Sequence, residues 1–174
     1  MLGIKLVRLI EKNSDHLSSS LSAQIRTSER TAAFQKIPHE DLRLAATEVY
    51  RNLGEWLLQK TEADIELRFR SVAARRAAEG IPLHQFVWAL VLSRDHLLRF
   101  LRQQSFAETI FELHGELELL QLLNQFFDRA TYFAIRGYEE SAQSALQKDD
   151  WARARAAAIS IGLLSERTEP TYED

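Results

Sequence analysis

The residues best equipped for chemistry are the histidines His16, His39, His84, His96 and His114, and their spacing decides which chemistry they can serve. A di-iron helical bundle places a Glu three residues before a His on the same helix, so that both project inward. The residues three before these histidines are Asn13, Lys36, Ile81, Ser93 and Phe111, so that ligand set is missing. Zinc-protease spacing, His-Glu-x-x-His, begins at His39-Glu40 and fails at Arg43, where the second imidazole belongs. No stretch matches a glycine loop of the kind that cradles phosphate. Ser93 and His96 are neighbours at helical spacing, and nothing marks them apart from an ordinary surface pair. The sequence has no cysteine, which removes thiolate metal sites, disulfides and a cysteine nucleophile together. The expectation is a protein with neither a catalytic site nor a metal site.

Two constellations remain. His96 follows Arg94-Asp95 in a strongly apolar segment. An imidazole so placed can serve as an axial ligand to haem in an all-helical pocket. The plainer reading is a partly buried histidine at a helix interface, and no cofactor is expected. The alternative to a pure interaction module is therefore a haem or small-molecule sensor. Its interhelical pocket would be lined by Trp56, Trp88 and His96, with Arg94 as the polar anchor. Arg43, Arg51, Arg68, Arg70, Arg75 and Arg76 form the second constellation. Glu62, Asp64, Glu66 and Glu79 are interleaved with them, which favours an ion-paired face over a nucleic-acid surface. A net charge of −3 and a pI near 6.0 exert no overall pull toward nucleic acid or anionic lipid.

The elements that must position these residues are helices. Six glycines and three prolines in 174 residues are too few for a sandwich or a glycine-looped nucleotide fold, and the length suits one domain. Leu42, Ala46, Val49, Leu53, Trp56 and Leu57 fall at steps of three and four, predicting one helix over 38–60. Thr61 and Asp64 form a variant capping box for the next, and Gly80 then Pro82 mark its stop and a new start. Residues 82–103 repeat the pattern with Arg94 in the apolar stripe, and residues 2–27 make one or two helices with a break at 13–15. Residues 107–147 read as one long helix or two nearly collinear ones, followed by a further helix up to Leu164 and a loose polar tail over 166–174. The fold expected is all-α, about six helices with one long C-terminal helix, in a single domain over 1–165. No apolar run reaches the ~18 residues of a membrane span, and the opening segment lacks signal-peptide features, so a cytoplasmic protein is expected.

At ~1.5 Å per residue the long helix would reach ~60 Å, against a diameter of ~40 Å for a compact domain of this size. It must bend, with Gly137 the favoured place, or project. Its apolar residues cover more than half its circumference, which marks a partner surface. Leu119, Phe126, Phe127 and Phe133 are the candidates for a homodimer contact.

Four stretches carry a family resemblance: Tyr50-Arg-Asn-Leu-Gly-Glu-Trp-Leu-Leu-Gln-Lys-Thr-Glu-Ala-Asp-Ile65, Ala74-Arg-Arg-Ala-Ala-Glu-Gly-Ile-Pro-Leu83, Val87 to Leu101, and Glu118-Leu-Leu-Gln-Leu-Leu-Asn-Gln-Phe-Phe-Asp-Arg-Ala130. Over about residues 15–145 the chain resembles the N-terminal sensory domain of RsbR-type proteins, more narrowly the RsbRD type. The resemblance implies an all-α, globin-like bundle that senses an input without chemistry, binds no haem and dimerises. In RsbR proteins that domain precedes a STAS domain phosphorylated on Ser or Thr within a stress-signalling assembly. No STAS segment is found in this sequence, so no phosphoacceptor is transferred; the expectation is either a stand-alone family member or one whose output partner is a separate chain, such as a STAS-type protein.

Overall fold

Apolar residues at steps of three and four wind the chain into helices throughout. In a computed structural model, which describes residues 2–104 and 109–161, no strand occurs among the described residues. The order is α1 (Leu2–Lys12), α2 (Ser14–Thr27), a 3-10 segment (Glu29–Lys36), α3 (His39–Arg51), α4 (Leu53–Leu58), α5 (Glu62–Ala78), α6 (Leu83–Gln104) and α7 (Ile110–Ser160). The tail expected over 166–174 lies outside the described residues.

Local chemistry sets most boundaries. Asn13 separates α1 from α2, its side-chain amide donating to the Leu9 carbonyl at 2.7 Å. Thr61 accepts from the Asp64 N–H at 3.3 Å while Asp64 accepts from the Thr61 N–H at 2.8 Å, a reciprocal cap on α5. Gly80 turns the chain at φ 67°, a left-handed conformation that glycine adopts without strain. The helix expected over 38–60 is two helices. Asn52 divides them at φ −114° and ψ 28°, and its side chain donates to the Glu48 carbonyl at 2.9 Å in place of the next turn's N–H. The C-terminal region differs in the opposite sense. The Asp149-Asp150 pair does not interrupt α7, which runs unbroken for 51 residues, ~75 Å. Asp is a weak helix former and not a breaker, and Arg153 pairs with Asp149 one turn on.

The core gathers around α7. Phe126 lies between Trp56 of α4 and Phe69 of α5, with ring centroids 6.0 and 5.8 Å away, and packs edge-on against Phe127 at 5.3 Å. Two glycines permit the closest approaches. A Cβ on Gly137 would sit 2.7 Å from the Arg70 Cα, and one on Gly3 would sit 2.9 Å from the Gly115 carbonyl oxygen. Gly137 is thus the place where α5 and α7 touch backbone to backbone, and α7 does not end there. Just beyond, the Tyr138 hydroxyl donates to the Ile81 carbonyl at 2.8 Å, and Arg70 pairs with Glu140. Residues 143–157 of α7 are all exposed, so the helix leaves the body there.

A second tight pair is α2 with α3. Ser14, Ser18 and Ser22, each four residues apart, are buried on one face of α2 beside Leu17, Leu21 and Ile25. Ser18 and Thr47 share a hydrogen bond at 2.6 Å, and the Ser22 hydroxyl donates to the His39 carbonyl at 3.0 Å. Small side chains let the helices approach, and the Ser18 and Ser22 hydroxyls each find a partner.

Candidate functional site

α3 packs on α2, and α5 packs on α7, so α3 and α5 face each other across a gap. Ion pairs span its outer edge: Arg68 with Glu48, and Arg75 with Asp41 at 3.3 Å. Beneath them lies a cavity of ≈ 110 Å³. Ala45, Ala46 and Val49 of α3 form one wall, and Arg68, Val72 and Arg76 of α5, at steps of four, form the other. Phe34, Phe86, Ala89 and Leu90 close the interior end. Every lining side chain is apolar apart from two guanidiniums, Arg68 and Arg76, and two hydroxyls, Tyr50 and Ser93.

The polar groups are held in specific ways. Tyr50 is fully buried and donates to the Ser93 carbonyl at 3.3 Å; burial pushes its phenol well above the ordinary range, so it stays protonated. Arg76 is only 3% exposed. It pairs with Glu79 and lies 5.8 Å from the centre of the Phe34 ring. Burial acts to raise the Glu79 carboxyl, but Arg76 and Arg75 outweigh it and hold that carboxyl below its usual value. The chamber thus sets an apolar lining against two cations, each fixed by an acidic partner. A larger groove of ≈ 520 Å³ runs between α1, α4 and α7, floored by Val7, Leu57, Leu119 and Leu122 and rimmed by Arg8, Glu11 and Glu118.

The residues selected from sequence fall elsewhere. Trp56 packs on Phe126, and Trp88 stacks under Arg30 at 4.4 Å. Arg94 lies 3.5 Å from Asp95 and 3.9 Å from Asp128. His96 is buried, with Nε2 3.3 Å from the Ser20 hydroxyl and, among the described residues, no partner for Nδ1. Burial, then the nearby Arg99 and His16, hold its imidazole below the ordinary value. The four side chains thus point to separate neighbours, and none lines the chamber between α3 and α5.

Leu119, Phe126, Phe127 and Phe133, the expected dimer contact, are 3–5% exposed within the single chain. Within this chain they belong to the core. A helix apolar around more than half its girth is what a central helix needs, because α1, α4, α5 and α6 all pack on it. The arginine cluster is ion-paired as expected, Arg70 with Glu66 at 2.9 Å and Arg75 with Glu79 at 3.0 Å, yet Arg76 belongs to the interior. Arg76 and Tyr50 were missed as site residues. The available signal was the four-residue step Arg68, Val72, Arg76, which follows the buried stripe of Ile65, Phe69 and Ala73.

Among the described residues no group of three or more His, Asp or Glu is placed to hold a metal ion, and no helix is long and apolar enough to cross a membrane. No curated protein sequence and no solved structure matches the chain. The model of one protein family does: the RsbT co-antagonist protein rsbRD N-terminal domain, over residues 15–153. That span runs from α2 through the chamber and into the exposed part of α7. The chain belongs to the RsbRD N-terminal domain family, regulatory domains of stress-response signalling.

Proposed function

We propose that this chain is a non-enzymatic cytoplasmic sensor domain that acts through a homodimer and onward protein contacts, with the exposed end of α7 as its contact surface. The observation that carries this reading is the run of α7 beyond the body, where Leu146 and Trp151 are 66% and 78% exposed. Large apolar side chains held in water on an ordered helix favour association, because covering them recovers ~25 cal/mol per Å². Phe126 and its neighbours fix the near half of the helix, so the dimer contact moves to the far half. Signalling then needs two packings of the helices around α7 and an input that binds one of them better. The onward partner in this reading is a separate signalling protein, such as a STAS-type chain.

The experiment is native mass spectrometry with sedimentation on the wild type and on a Leu146→Glu, Trp151→Glu double variant. A wild-type dimer that becomes a monomer in the variant, with unchanged helical circular dichroism, is the expected result. A wild type that stays monomeric at micromolar concentration removes the homodimer, and a variant that stays dimeric moves the contact away from this part of α7.

A further inference from the structure

We infer that the chamber between α3 and α5 is a binding site for a small aliphatic carboxylate, its apolar body among Ala46, Val72 and Ala89 and its charge against Arg76, with Arg68 at the entrance. The size sets the class. Engineered cavities of ~150 Å³ lined by apolar side chains stay dry and take benzene or xenon, and this one, at ≈ 110 Å³, suits a body of three to five carbons ("about" one short branched chain).

Charge selects the head group. The chamber wall carries two guanidiniums and no carboxylate, and each guanidinium already has one acidic partner outside the wall: Glu48 for Arg68, and Glu79 for Arg76. A guanidinium has five N–H donors in a planar fork, so a single acidic partner leaves donors for a second carboxylate. Arg76 is nearly fully buried, and a cation against an apolar chamber gains from a further anion far more than one in water does. Arg68 is the outer of the two, about two helical turns away, ~12 Å along α5. Its side chain is 26% exposed and bridges the gap to Glu48, so it stands where an anion would enter.

The site also explains how occupancy would be felt. α3 rests on α2, and α5 on α7, so a molecule wedged between α3 and α5 acts across a gap that the Arg68–Glu48 and Arg75–Asp41 ion pairs span. This consequence rests on the sensor reading, whereas the binding itself does not.

The test is an amide NMR titration of the full chain with isobutyrate and with its neutral isostere isobutyramide. Saturable shifts at Ala46, Val72 and Ala89 are expected with isobutyrate, at millimolar affinity and about tenfold tighter than with isobutyramide. Arg76→Met should bring the two probes to equal affinity, and Arg76→Lys, which keeps the cation should the apolar substitution disturb the fold, should retain a preference for isobutyrate. Ala89→Leu should fill the chamber and abolish both titrations. Equal affinities in the wild type, shifts that survive Ala89→Leu, or no saturation would each overturn the proposal. A chain that dimerises through α7 but fails this titration loses the chamber as its input and keeps its contact surface; the reverse result does the opposite.

Discussion

A buried guanidinium is costly to leave without its counter-ion, and Arg76 with Glu79 shows how one chain manages it. The pair is three residues apart on a helix end, so the carboxylate stays at the surface while the cation reaches inside. Removing Glu79 strands the charge, whereas replacing Arg76 with an apolar residue of similar length removes it. Glu79→Gln should therefore cost ~1–3 kcal/mol, and Arg76→Met less, by urea unfolding; the reverse order would contradict the pairing described. His96 offers a pH test. Its folded imidazole is held below the ordinary 6.5 of the unfolded chain, so the unfolded state takes up a proton first. That contribution is complete above about pH 6.5 and is lost as the pH falls below it. A His96→Leu variant should show a shallower fall in unfolding midpoint between pH 7 and 5 (roughly the window of these values) than the wild type. The α5 cap was legible because Thr61 and Asp64 act on their own backbone. Arg76 was not, since charges interleave along α5 and the sequence does not show which of them faces inward.

Helices announce their stops better than their continuations. Gly80 and Asn13 interrupt the chain through their own backbone and side-chain geometry, and both were legible. Asn52 was not, because the apolar stripe continues from Leu42 to Leu57 across it and only the competing hydrogen bond to Glu48 divides the helix. Asp149-Asp150 misled in the other direction: two charges look like a boundary, but a turn-spaced Arg keeps the helix running. Gly137 lacks a side chain for a reason that single-helix patterns cannot display, the α5 backbone pressed against it. Gly137→Leu should push α5 from α7 and lower stability by ~1–3 kcal/mol despite a better intrinsic helix propensity. Thermal unfolding decides it, since propensity alone predicts a gain.

For the whole molecule, the arithmetic of helix length against domain diameter already required a bend or a projection, and the structure resolves it as a projection. What the sequence left open was which apolar residues α7 spends on its own core. That depends on how many helices surround it, a property of the assembled bundle and not of any one stripe. Because residues 143–157 touch little of the body, a chain ending at Ala142 should unfold in urea within ~0.5 kcal/mol of the full-length Leu146→Glu, Trp151→Glu variant, which lacks the dimer contact. A larger loss would mean that the far half of α7 supports the bundle. Its mechanical meaning is leverage. Anchored through Gly137 and Tyr138, α7 carries an arm of about 28 Å past its last fixed turn. A tilt of about 10° where α5 and α7 cross would swing the tip by about 5 Å, so a shift too small to notice within the bundle becomes a displacement that a neighbouring protein can read.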